Sequence, residues 1–525
     1  MEKGRLGFRG RGDHVKRFLQ LLFSRLTFVA FFMALQIGAI VAMLTYFRSR
    51  YADFYTLFTI IGAIAVIYIL NQEENPAYKI AWIIPILVLP IFGIPLYFLF
   101  GKSRLPKSLR MRMSHIQSKY DVAYENVDSC LEALKEIDPA AARQAEYLES
   151  AALAPIFQHS ETEYFPLGDD MFPRMLAELR KAERFIFLEY FIIAPGEMWD
   201  TILAILEEKA AAGVDVRVIY DDIGSILTLP KNYYRQLEAK GIQSHAFHRF
   251  QPALNGNFNN RDHRKICVVD GNVAFTGGIN LADEYINVKE RFGHWLDCGV
   301  MVRGDAAYSF TVMFLSMWDY ICRTDDDFSR YLPDAGAIAD AKDDGFVQPY
   351  SDTPTDDETV GEIAYLNMIN RAEHSIYICT PYFVIDNEIM TALTTAAKCG
   401  VDVRIITPGI PDKWYVYAVT RSYYESLVNA GVRIYEYTPG FIHSKTCVCD
   451  NKVAICGTIN FDYRSMYLHH ECAAWMYKSK AVHQMYDHFF EILEKCTEVT
   501  PEMCARRGWP LRFLQSLLRV FAPMM

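Results

Sequence analysis

Positive charge is scarce beyond residue 119. The 406 residues that follow hold 37 Lys and Arg against 58 Asp and Glu, about −21 in all. That balance repels a polyanion and argues against nucleic acid as a partner. Paired metal-binding thiols are also missing: there are twelve cysteines but no Cys-x-x-Cys, so a zinc site has no support. Cys267, Cys298, Cys447, Cys449, Cys456 and Cys472 stand in apolar, strand-like runs. They read as small buried hydrophobes, not as a disulfide framework, and point to a reducing compartment. No cofactor or metal is expected.

Charge of either sign is absent from residues 26–47, and from 54–70 and 80–100 except at their flanks. The first run, 22 residues long, is enough to cross a hydrocarbon core of about 30 Å. It is too long, and too soon followed by a second, for a cleaved signal peptide. Pro85, Pro90 and Pro95 interrupt the third, which reads as a kinked span or a re-entrant hairpin. Basic stretches flank the region: Lys3 to Arg25 before it, and Lys102, Arg104, Lys107, Arg110, Arg112 and Lys119 after it. Two crossings and a re-entrant third segment would keep both on the cytoplasmic side, as the positive-inside rule asks. The expected organisation is a basic N-terminus (1–25), a membrane region (26–100) and a basic linker (101–150).

The rest of the chain is a duplication. HRKICVVD at 263–270 returns as HSKTCVCD at 443–450, and GGIN at 277–280 as GTIN at 457–460. AERFIFLEYFIIAP, AGVDVRVIYDDIG, AKGIQ and DCGVMV have counterparts in the same order, AEHSIYICTPYFVID, CGVDVRIITPGIP, NAGVR and ECAAWMY. Each half alternates β-branched runs with helical stretches such as 199–212 and 386–399, predicting two homologous α/β lobes at 151–340 and 341–505. The acidic stretch 324–360 reads as their connection. The first half carries an insertion at 251–260, either a substrate-side loop or a plain solvated one. In the closing segment, 506–525, Trp509, Phe513, Leu517 and Val520 recur at helical spacing among Arg506, Arg507, Arg512 and Arg519. That pattern suits a helix lying on anionic lipid or one packed on the protein's own body.

ICVVD and TCVCD predict strands that turn at Asp270-Gly271 and Asp450-Asn451 into second strands, VAFTG and VAICG. His263 and Lys265, like His443 and Lys445, then share a face. An imidazole beside an ammonium suits a phosphate group: lysine offers charge to the oxygens, histidine a reactive nitrogen. Asp270 and Asp450 fall at odd spacing, where stabilising the turn competes with direct chemistry. The glycines that end the second strands would let substrate approach, and the amides of Asn280 and Asn460 could donate to a phosphoryl oxygen.

On these residues the chain resembles the phospholipase D superfamily, and within it the bacterial cardiolipin synthases. The resemblance spans 54–525 and includes HRKICVVDG, GGINLADEY, GHWLDCGV, IHSK, GTINFDYRS and a proline-broken segment before Gly-Lys-x-Arg at 101–104. The extra apolar run at 26–47 departs from the commoner two-segment form, and His470 stands where an Asn is common. The resemblance implies two lobes sharing one metal-free site, with His263, Lys265, Asp270, His443, Lys445 and Asp450 as its catalytic motif. His263 would attack phosphorus and His443 would act as acid and base. Lys265, Lys445, Asn280 and Asn460 would hold the phosphoryl group. Asp297 and Glu471, 34 and 28 residues beyond His263 and His443, are matched candidates to orient the two rings. The implied reaction joins two phosphatidylglycerol molecules into cardiolipin with release of glycerol, in a bacterial cell membrane, the body on its cytoplasmic face. A membrane-bound phospholipase D-type hydrolase or another phosphatidyltransferase is the alternative, with an idle membrane scaffold behind them; oligomeric state stays open.

Overall fold

The two histidine motifs run into β-hairpins because β-branched and thiol residues lead into a pair that accepts positive φ. Asp270 and Gly271 sit at φ 55° and 75°, Asp450 and Asn451 at 54° and 52°, as tight hairpin turns require. In a computed structural model, which describes residue 38 and residues 51–101, 107–125, 127, 129–248, 259–334 and 344–524, these hairpins are β5–β6 (Lys265–Val269, Val273–Gly277) and β15–β16 (Thr446–Cys449, Val453–Gly457). The chain divides into two compact units, residues 1–103 with 251–256, and residues 104–250 with 257–525.

In the larger unit each hairpin lies inside a mixed sheet. The first sheet runs β1-β8-β6-β5-β2-β3-β4, adding β1 (Ser160–Phe165), β2 (Phe185–Tyr190), β3 (Asp215–Asp221), β4 (Gln243–Phe247) and β8 (Gly299–Gly304). The second runs β9-β18-β16-β15-β10-β12-β13-β19. Its further strands are β9 (Phe346–Asp352), β10 (Ser375–Cys379), β12 (Asp402–Pro408), β13 (Arg433–Tyr437), β18 (Glu471–Tyr477) and β19 (Cys496–Glu498). Strand for strand the orders match, and β19 is an addition at one edge. β2, β3 and β4 are parallel, as are β10, β12 and β13. Parallel neighbours need a crossover; helices Glu197–Ala211 and Asn387–Lys398 supply it, within two residues of the helical stretches expected from sequence.

The sheets share one core. Phe187, Ile266, Val268, Ala274 and Val300 of the first face Val448, Ala454, Cys456, Cys472 and Ala474 of the second, with helix Ala307–Cys322 buried along the seam. Alternate residues of β5, Cys267 and Val269, turn instead into the first lobe's own interior, as a period of two dictates. β9 is a correction to the sequence reading, which placed it in the connecting segment. Pro349 is tolerated because β18 is the one strand paired with β9 among the described residues, the other side being bridged at Val347 by Phe157, and an edge strand accommodates the missing donor.

Between the lobes, β7 (His294–Leu296) pairs in parallel with β14 (Gly440–Ile442). Its counterpart is a bridge from Asp262 to His470, also parallel. Each lobe thus threads the residue before its own histidine beside the other lobe.

In the smaller unit, Asn75 caps helix Pro76–Val88 by accepting from the Ala77 N–H at 2.9 Å. Pro90 then opens a separate helix, Pro90–Phe100. A Cβ on Gly93 would overlap the backbone of Ile86, so the pair folds back closely, and the segment expected at 80–100 is two helices of 13 and 11 residues. Helix Tyr51–Leu70 covers the expected 54–70 run. Among the described residues no helix is long and apolar enough to cross a membrane. The 26–47 run, apart from residue 38, and nearly all of the 251–260 insertion lie outside them. The C-terminal helix Trp509–Val520 packs on helix Trp414–Asn429: Arg507 pairs with Glu425, and Arg519 lies over the Tyr423 ring. Its opposite face leaves Trp509 and Phe513 exposed at 78% and 67%.

A Cβ at Gly440 would collide with the backbone of His294 across β7–β14. Gly440→Val is therefore expected to lower stability by about 2 kcal/mol, read as a reduced thermal midpoint.

Candidate active site

His263 and His443 stand just before β5 and β15, where the chain leaves the other lobe and enters its own sheet. The interlock described above fixes both: the His263 N–H donates to the His470 carbonyl at 2.9 Å, and the His443 N–H to Leu296 at 2.7 Å. The next residue after each acceptor is a carboxylate, Glu471 or Asp297. The pairing is therefore crosswise. His263 Nδ1 lies 2.9 Å from both oxygens of Glu471, and His443 Nδ1 lies 2.6 Å from Asp297 Oδ2. This corrects the sequence reading, which matched each carboxylate to the histidine of its own repeat. All four side chains are buried.

The lysines turn inward beside them. Lys265 Nζ donates to the His263 carbonyl at 2.6 Å; Lys445 Nζ donates to the His443 carbonyl and lies 2.9 Å from His443 Nδ1. Burial draws Lys265 down to about 7, the Lys445 charge adding to it, and Lys445 down to about 8. Burial also lowers His263 to about 3, against the pull of Glu471, and lowers His443 well below its ordinary range, helped by Lys445, Lys265 and His263. The first motif's charges therefore act on the second motif's imidazole, and Lys445 acts on Lys265.

The two imidazole–carboxylate pairs differ. Gly278 holds its place because a Cβ would collide with the Asp297 carboxylate; it makes room for Asp297, not for substrate. At the equivalent position Thr458 instead donates its hydroxyl to Glu471 Oε2. Burial pushes Asp297 well above the carboxylate range, although Lys445 opposes it. On Glu471 burial acts in the same direction, but His263, its hydrogen bond and His469 outweigh it and hold the acid low. Aromatic walls differ as well: Phe191 flanks His263 at 5.0 Å, whereas Tyr285, Trp295 and Phe441 surround His443 at 5.5–5.7 Å.

Four further expected residues have other tasks here. Asp270 accepts from the backbone N–H groups of Glu183, Arg184 and Phe185, and Asp450 from those of Glu373, His374 and Ser375, at 2.7–2.9 Å. They sit at the far ends of β5 and β15 from the lysines, fastening the starts of β2 and β10. Of the two readings open for these aspartates, the observed bonds are those of the turn-stabilising one. Asn280 donates to Tyr285 Oη and accepts from Ile192 N, and Asn460 donates to Ser465 Oγ. Sequence reasoning missed His469, whose ring centroid is 5.5 Å from that of His263. It also missed Lys413, tied to Tyr382 and Asp412, whose charge reaches His443. No repeat marks either residue. The Gly278/Thr458 difference, in contrast, stands in the aligned repeats.

Two outcomes follow. Asp270→Ala strands three backbone donors and is expected to cost about 3 kcal/mol, measured by denaturant unfolding. Burial lowers His248 and His488 to about 4 and His263 to about 3. Depressed histidines bind more protons unfolded than folded. Stability is therefore full above pH about 6.5, their ordinary value, and falls as pH drops towards 4, which a thermal midpoint series will register.

Comparison with known proteins finds the same duplicated architecture. A family model described as "Cardiolipin synthase, PLD-like domain" matches twice, at 175–318 and 365–493, and a "Phospholipase_D-nuclease N-terminal" model matches 58–102. A Streptococcus mutans protein described as uncharacterized is 41% identical over 88% of this chain and 99% of its own. A cardiolipin synthase of Halalkalibacterium halodurans is 32% identical over 96% and 100%. The crystal structure of a phosphatidylserine synthase from Haemophilus influenzae, at 15% identity, has the same fold, covering 73% of this chain and 98% of that one with a TM-score of 0.53. With two phospholipase D-type lobes closed around paired imidazoles, and relatives matched over their full length, the chain belongs to the cardiolipin synthase family of phosphatidyltransferases.

Proposed function

We propose that this enzyme transfers a phosphatidyl group from one phosphatidylglycerol to another through a phosphohistidine on His263. The observation that carries the reading is the crosswise, unequal pairing of the two imidazoles. An ionised Glu471 accepts the Nδ1 proton of a neutral His263, leaving the Nε2 lone pair free to attack phosphorus. On His443, Nδ1 lies beside the donor Lys445 and beside Asp297, whose carboxyl burial makes a weaker acid than Glu471. The proton of that ring therefore belongs on Nε2, the acid's tautomer.

In the first displacement His263 Nε2 bonds to phosphorus, and the phosphorus–oxygen bond to the glycerol headgroup breaks. His443 gives its Nε2 proton to that oxygen while Asp297 returns one to Nδ1. In the second, the terminal hydroxyl of another phosphatidylglycerol loses its proton to His443 and attacks the phosphohistidine, giving cardiolipin and freeing His263. Lys265 and Lys445 neutralise the phosphoryl oxygens. Asn280 and Asn460 keep one amide hydrogen each for the same oxygens. No step draws on Asp270 or Asp450.

A membrane setting is part of the proposal. Ile60, Ile64, Ile67, Leu87 and Val88 are exposed in the smaller unit, which suits surroundings of hydrocarbon rather than water. The apolar face of helix Trp509–Val520, ringed by arginines, suits the surface of an anionic leaflet. We assign the N-terminal region to the bacterial cell membrane with the body on the cytoplasmic side, and the domain limits given above to that arrangement.

The test is reconstitution with labelled phosphatidylglycerol. Cardiolipin with equimolar glycerol is expected; phosphatidic acid would instead mark a hydrolase, and no product an idle scaffold. His263→Ala and His443→Ala should each lower the rate by about 10³-fold or more. Wild-type enzyme quenched in alkali, where a phosphohistidine survives, should carry label on His263; label on any other residue would overturn the assignment.

A further inference from the structure

We propose that His263, His469 and Glu471 form a capture site for Zn²⁺ that shuts the active site. One donor atom from each residue lies within 4.8 Å of the other two. Glu471 Oε1 is 2.9 Å from His263 Nδ1 and 3.6 Å from His469 Nδ1. Tetrahedral zinc with bonds of about 2.0–2.2 Å separates its ligands by roughly 3.3–3.5 Å, so little movement brings the three into place. Two imidazoles and one carboxylate are a zinc set, and too rich in nitrogen for Mg²⁺ or Ca²⁺.

His469 supplies the independent observation. Its side chain is only 10% exposed, yet Nε2 has no hydrogen-bond partner among the described residues and Nδ1 reaches only the Glu471 carboxylate, at a loose 3.6 Å. A buried imidazole so poorly paired carries a cost, which a ligand at this position would remove. Glu471 is already oriented for the task, because Thr458 holds Oε2 and leaves Oε1 towards the two rings. The like charge opposing the cation is Lys265, which bonds back to the His263 carbonyl.

The consequence follows from the tautomer. Zinc on His263 Nδ1 displaces the N–H bond to Glu471 and moves that proton to Nε2. The nitrogen that would face phosphorus then has no lone pair. Inhibition rests on the reaction proposed above; binding rests on the geometry alone.

The experiment uses the full chain, chelator-stripped, in phosphatidylglycerol micelles. Equilibrium dialysis with Zn²⁺ should find one more equivalent in the wild type than in His469→Gln. Co²⁺ should give visible bands of tetrahedral intensity only in the wild type and in His469→Cys, which keeps a ligand at that position. Half-inhibition by Zn²⁺, relative to each protein's own zinc-free rate, should need at least about tenfold more metal in His469→Gln. Equal stoichiometry and equal cobalt spectra in wild type and His469→Gln would overturn the site. Binding without loss of turnover would overturn the inhibition. If zinc-free protein binds the metal but makes no cardiolipin, the proposed reaction fails and the site stands.

Discussion

Everything at the centre of this molecule depends on two short parallel contacts, one around Asp262 and His470 and one between β7 and β14. In each, the residue just ahead of a histidine lies beside the residue just ahead of the other lobe's carboxylate. Backbone register then decides the side-chain chemistry. His263 must meet Glu471 and His443 must meet Asp297, because each is one step further along a paired chain. Neither lobe holds a complete imidazole–carboxylate pair, so each pair exists only where the halves meet, even though each half has its own sheet and its own interior.

A pair of identical sites could not divide the work of attack and proton transfer. Symmetry is broken at two aligned positions. Where one repeat has Gly278 with no hydroxyl to offer Asp297, the other has Thr458 donating to Glu471. A hydroxyl donor stabilises the anion; an apolar cage of Tyr285, Trp295 and Phe441 around the opposite ring gives no such help. The low-dielectric interior enlarges these small differences, so two nearly equal histidines stand in unequal surroundings.

Much of the architecture could be read in advance because its causes are local. The hairpins follow from β-branched runs and turn residues, the crossover helices from apolar periodicity, and the duplication from matched segments in matched order. The misreadings have a common source. Asp270 and Asp450 look chemical because they belong to a motif, but their partners, the backbone N–H groups of 183–185 and 373–375, lie far away in sequence. β9 looked like linker because aspartates crowd both of its flanks and Pro349 interrupts it, and pairing with β18 makes it a strand. His469 carried no signal at all, since its neighbour His263 is 206 positions away.

The amino-acid order alone determined that two like α/β halves exist, that each brings one imidazole and one ammonium, and that apolar segments precede them. Short-range forces are sufficient for those properties: side-chain period, turn geometry and hydropathy. The choice of carboxylate for each histidine, the unequal acidity of Asp297 and Glu471 and the closeness of His469 were decided only by tertiary structure. They arise from burial and from contacts between lobes, and neither exists until the sheets have closed on one another.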